Sequence, residues 1–103
     1  MWVATVSVVE LDAYGRSVAT FVIEAYLSRA RASDLDQASA QLRLAAESSR
    51  SADPSIRHLR SFYVAEDELA YHLVEAASIE AVVELSRSAH LVADRIVEVA
   101  ASG

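Results

Sequence analysis

Hydrophobic periodicity along the chain switches in the order strand, helix, strand, strand, helix, strand. That order predicts an α+β fold of ferredoxin-like β-α-β-β-α-β type, a four-stranded antiparallel sheet with two helices on one face. Two observations carry the prediction. Residues 56–99 read as a hairpin, a helix and a closing strand, in the runs IRHLRSFYV-AEDE-LAYHLVEAA, SIEAVVELSRSA and ADRIVEV. Upstream stand a strand-like run from Thr20 to Leu27 and a helix-like run from Ser33 to Ser49.

Residues 3–11, VATVSVVEL, have β-branched character and are followed by the turn-forming stretch 12–17. The unit is complete without them, so residues 1–16 are expected to form an N-terminal extension or extra strand, and 17–103 the domain itself. The first helix is expected to begin with Ser33 as N-cap and Asp36 in its first turn, where a carboxylate suits the positive end of the dipole. Leu35, Ala38, Leu42, Ala45 and Ala46 give it one apolar stripe, and Asp53-Pro54 ends it. The second helix takes Ser78 as N-cap, starts its buried stripe with Ile79, Val82 and Val83, and carries Glu84 and Arg87 three apart on the solvated side. His90, near its C-terminus, suits a cap or the surface.

Composition narrows the chemistry. At 103 residues the chain is one domain, and at that size a second copy would help it bury a core. Fifteen acidic against nine basic residues give a net charge of -6, which argues against nucleic acid or an anionic membrane as partner. All nine basic residues are arginines, so lysine Schiff-base chemistry and a P-loop lysine are excluded. With no cysteine there are neither disulfides nor thiolate ligands, and a cytoplasmic location is the default. MWVATVSVV lacks the basic flank of a signal peptide, and no apolar run reaches the length of a membrane span. The acidic run Glu66-Asp67-Glu68 lacks the ligand spacing of a calcium loop. No serine sits in a hydrolase motif.

The hairpin register decides which side chains share a face. With Ala65 to Glu68 as a four-residue connection, Val64 pairs with Leu69, Phe62 with Tyr71, Arg60 with Leu73 and His58 with Glu75. Leu59, Ser61 and Tyr63 then face the helices with Val74, His72 and Ala70. His72 reads as a core residue hydrogen-bonded beside Ser61, and Tyr63 as core with its hydroxyl satisfied at an edge. In the outer strands Phe21, Ile23, Ala25, Val97 and Val99 suit the helix side, while Glu24, Ile96 and Glu98 face away. Ferredoxin-like connectivity sets the first strand between the third and the last, placing Glu24 between Glu75 and Glu98.

The face away from the helices is half apolar, with Phe62, Tyr71, Leu73 and Ile96, and such a surface calls for a partner. A second copy, sheet against sheet, would make a dimeric α+β barrel. Its interior would be lined by Glu24, His58, Glu75 and Glu98, donors suited to nickel, zinc, manganese or iron(II). The bland reading of the same residues is a set of ion pairs at the sheet rim or dimer interface, with Arg60 neutralising one carboxylate.

The stretches FVIEAYL (21–27), RSFYVAEDELAYHLVEAASIEAVVEL (60–85) and ADRIVEV (93–99) resemble the short nickel-responsive ferredoxin-like family of actinobacterial type, long carried as a domain of unknown function. The likeness covers residues 18–100. It implies a homodimeric α+β barrel and nickel binding in or near it, with no assigned activity for most members. Relatives often carry cysteine where this chain has His72, histidine where it has Leu85, and a glycine-to-proline turn at His90-Leu91-Val92. Three readings stand side by side: a homodimeric protein binding nickel, another divalent metal or a small molecule; a cofactor-independent or haem-using monooxygenase with His58 or Tyr71 as acid or base; and an interaction module without a ligand. No catalytic signature favours the second.

Overall fold

A computed structural model of the chain describes residues 10–11 and 17–100. Among them are five strands, β1 (Glu10–Leu11), β2 (Ser17–Tyr26), β3 (Arg57–Val64), β4 (Leu69–Ala76) and β5 (Arg95–Val99). The helices are α1 (Leu35–Ser49) and α2 (Ile79–Ser88), with a 3-10 segment at Arg29–Asp34 ahead of α1. The four long strands run antiparallel in the order β5-β2-β4-β3, the predicted ferredoxin-like arrangement with the first strand of the unit between the third and the last. β1 makes a short antiparallel pair with the start of β2, Glu10 opposite Val18 and Leu11 opposite Ser17. The rest of the strand expected at 3–11 lies outside the described residues.

Period-two alternation is cleanest in the two central strands. In β2, Phe21, Ile23 and Ala25 are buried and their neighbours are not; in β4, Ala70, His72, Val74 and Ala76 are buried. The largest wholly buried side chains are Ile23, Leu42, Leu85, His72, Val74 and Val82, so the core lies between one sheet face and the two helices. The helix side chains reach it unequally. α1 buries only Leu42 and Ala46, with Ala45 packed alongside, whereas α2 buries Val82, Leu85 and Ser86.

Three local expectations are corrected. Ser33 does not cap α1: it lies in the 3-10 segment, the N-cap is Asp34, and the Asp34 carboxylate is taken by the Arg31 guanidinium at 2.7 Å. α2 is capped as predicted, the Ser78 hydroxyl accepting from the Ala81 amide at 3.2 Å, and Glu84 pairs with Arg87 at 2.8 Å. Its buried stripe, however, runs through Val82, Leu85, Ser86 and Ala89, while Ile79 and Val83 are exposed. Turning the helix this way seats the larger Leu85 inside. In β5 the parity is opposite to the expected one. Ile96 stands opposite Ile23 on the core side and Val97 opposite Val22 on the outer side. The strand is locked in that register by Asp94, whose amide donates to the Glu24 carbonyl at 2.8 Å while its carboxylate accepts from the Tyr26 amide at 2.6 Å.

Helix α2 ends in a Schellman turn. The His90 amide donates to the Arg87 carbonyl at 3.1 Å and the Leu91 amide to the Ser86 carbonyl at 2.9 Å, which requires His90 to hold φ 57. Glycine occupies that left-handed position without a Cβ clash, which costs other residues about 1–2 kcal/mol. His90→Gly is therefore expected to raise stability by about 0.5–1 kcal/mol after glycine's greater unfolded-state entropy is subtracted. Urea unfolding at constant m would check it.

Candidate functional site

The sheet presents two chemically different faces. Each is built of cross-strand rows. On the outer face, away from the helices, one row runs Phe62–Tyr71–Glu24–Arg95, the next Arg60–Leu73–Val22–Val97, and the next Arg57–Glu75–Thr20–Val99. Its centre is apolar, with the Phe62 and Tyr71 rings stacked at 5.2 Å between centroids and Phe62 still 41% exposed. Ion pairs stand at its two ends, Arg95 with Glu24 at 3.8 Å and Arg57 with Glu75 at 3.5 Å.

These rows separate the four residues expected to share a metal. Glu24 and Glu75 do occupy the outer face, but Glu24 lies opposite Tyr71 and Glu75 opposite Thr20. The two rows are offset by four residues along the strand, about 13 Å. Glu98 pairs with Phe21, so the β5 register carries it to the helix side of the sheet. His58 is also on that side. The register slips by one residue between His58 and Arg60, so that His58 stands opposite Val74 and Arg57 takes the place opposite Glu75. His58 and Glu98 then lie at opposite edges of the sheet, three strand spacings or about 14 Å apart. Among the described residues no three His, Asp or Glu side chains are grouped so as to hold a metal ion.

The displaced His58 joins a different constellation. Its Nε2 lies 2.9 Å from the Ser61 hydroxyl, and the same hydroxyl lies 2.6 Å from Nδ1 of His72. His72 is wholly buried, and its Nε2 has no hydrogen-bond partner. One hydroxyl proton cannot serve both rings, so Ser61 donates to one and accepts from the other. The arrangement His72 Nδ1–H to Ser61, and Ser61 O–H to His58, leaves a bare lone pair in the core. The reverse would leave an orphaned N–H, the costlier of the two. Burial holds His72 far below the usual histidine value, to about 4, with the neighbouring His58 acting in the same direction. His58 is lowered first by burial and then by the Arg43 guanidinium of α1.

Ser61 and His72 face one another as the hairpin pairing predicts, and the Tyr63 hydroxyl is satisfied at the sheet edge by donating to the Leu27 carbonyl at 2.6 Å. What sequence reasoning missed is the third member, His58. The bulge at Leu59 brings it inside, and neither glycine nor proline marks that bulge. The acidic tip is a closed turn: Glu68 holds φ 51, its carboxylate accepts from the Arg29 amide at 3.0 Å, and its carbonyl accepts from the Leu27 amide at 2.9 Å. No helix among the described residues is long and apolar enough to cross a membrane.

A family model described as "Nickel responsive protein SCO4226-like" matches residues 21–99, which include every long strand except the start of β2. No curated protein and no solved structure matches the chain.

The buried imidazole makes stability depend on pH. His72 binds its proton near pH 6.5 when unfolded but only near 4 when folded. The unfolded chain therefore binds more protons in between, and the stability present above pH 6.5 is lost as pH falls toward 4. The loss expected from this group is roughly 3 kcal/mol. Urea unfolding from pH 7.5 to 4 should show it, and His72→Leu should flatten that part of the profile.

Proposed function

This chain belongs to the SCO4226-like nickel-responsive family, and from that premise we propose that it binds nickel as a homodimer joined through the outer faces of its two sheets. The observation that carries the reading is the outer face itself: an apolar centre of Val22, Phe62, Tyr71, Leu73 and Val97 between two ion-paired ends. Four strands with helices on one side leave this surface without a protein layer among the described residues, and a second copy supplies an identical apolar layer.

The dimer also answers the spacing of the carboxylates. Glu24 and Glu75 lie at opposite ends of one sheet. A two-fold axis that reverses strand direction sets Glu24 of one protomer over Glu75 of the partner subunit. Two such carboxylate pairs, one at each end of the enclosure, are oxygen donors for a divalent cation, with water completing the shell. His58 and Glu98, on the helix side, take no part. Arg95 and Arg57 neutralise the carboxylates in the free protomer, so nickel competes with exposed ion pairs of small individual worth.

Two measurements test this reading. Light scattering on an eluting peak should give twice the chain mass for the wild type and a single chain mass for Phe62→Asp, with the far-ultraviolet circular dichroism spectrum retained. A wild type that elutes as a monomer at micromolar concentration removes the dimer. Calorimetric titration with nickel chloride should give saturable binding that weakens at least tenfold in Glu24→Ala and Glu75→Ala alike. Unchanged affinity in both variants moves the metal elsewhere.

A further inference from the structure

The most unusual group in the molecule is the Ser61-bridged pair of imidazoles on the helix side, one of them wholly buried with an unpartnered nitrogen. Its surroundings decide what it does. From β2 the neighbour of His72 is Ile23, and the same row ends at Ile96 of β5. α2 contributes the apolar Val82 and Leu85, and the hydroxyl of its buried Ser86 is occupied by the Val82 carbonyl at 3.1 Å. From α1 the Arg43 guanidinium acts on His58, and it is positive. A proton added here meets a second imidazole, a guanidinium and an apolar core.

Two members of the cluster, His58 and Ser61, are carried by β3. α1 lies on the edge strand β3, and it is held by Leu42 and a row of alanines, whereas α2 packs through Val82, Leu85 and Ala89. β3 is itself bonded on one side only and bulged at Leu59. An α1–β3 layer of this kind can separate while the β5-β2-β4 sheet and α2 stay together.

We propose that the His58–Ser61–His72 cluster is an acid-sensitive latch that keeps α1 closed on β3 at neutral pH and releases this layer in mild acid. With both rings neutral, Ser61 accepts from His72 and donates to His58, and the pair tolerates the apolar cover. A protonated His72 has the His58 ring beside it and an unpartnered Nε2 in the core, so it is accommodated only where water reaches it. Opening the layer admits that water. The device is independent of the outer face, so it stands whether or not nickel binds there.

Hydrogen exchange of the full chain, expressed as protection factors to remove the intrinsic pH dependence, tests the latch. Between pH 7.5 and 5.0 the amides of α1 and β3 should lose protection by tenfold or more through an opening that depends less on urea than exchange at the centres of β2 and β4, and His72→Leu should abolish the loss. No fall in α1 and β3, the same urea dependence in all elements, or a fall that persists in His72→Leu overturns the proposal. Should His72→Leu fail to fold, the ring signals of the three histidines decide the matter in the wild type. The latch requires His72 to titrate well below the usual histidine value, and titration at that value overturns it.

Discussion

Everything distinctive about this molecule follows from strand parity relative to β2. β2 is bonded on both edges, to β4 through eight consecutive residues and to β5 through five, and its buried Phe21, Ile23 and Ala25 fix which way the sheet faces the helices. Because side chains alternate with period two, a shift of one residue in any neighbouring strand moves all of its side chains to the other face. Two small features set that parity at the sheet's edges. Asp94 clamps the entry to β5 against the exit of β2, and the bulge at Leu59 offsets the first two residues of β3.

Those two offsets separate the chemistry of the faces. Without the bulge His58 would share the outer face with Glu75; with it, His58 turns inward and completes a three-residue hydrogen-bond chain reaching the centre of the core. Without the Asp94 clamp Glu98 would face outward and Ile96 would lose its place beside Ile23. The outcome is an outer face with carboxylates, arginines and aromatic rings but no imidazole, and an inner face with two imidazoles and no carboxylate near them. Carboxylates paired with arginines and hydrogen-bonded imidazoles are thus kept on opposite sides of one sheet.

The fold was legible in the sequence because its signals are long and redundant. Element order, the β3–β4 register from Arg60 to Val64, the Ser78 cap and the Glu84–Arg87 pair all follow from periodicity or from side chains with one favoured role. The site was less legible because it depends on single-residue offsets. β5 reads RIVEV, in which both alternations put apolar residues on each face, so periodicity cannot choose between them. The choice comes from Asp94, which precedes the strand and acts through two backbone contacts. Leu59 is likewise an ordinary strand residue, and the energy that makes it bulge lies in what flanks it: Arg57 reaching Glu75, and His58 reaching Ser61. α2's rotation was misread for a related reason, since Ile79, Val82, Val83 and Leu85 offer two overlapping stripes and only packing selects one.

Among the described residues His72 is the buried side chain left with an unpartnered nitrogen, a local cost that packing does not require. An apolar residue at position 72, opposite Ile23, would leave no nitrogen unpaired, and burying a polar group without a full set of partners costs about 1–3 kcal/mol. Here Ser61 satisfies one nitrogen only, and the second partner of that serine is a half-buried histidine beside an arginine, the opposite of what would stabilise a charged ring. Such a group is quiet while neutral and disruptive once protonated. Its cost at neutral pH is small enough for the domain to bear. The proposed consequence in acid falls on the edge strand β3 and the helix α1 that lies on it.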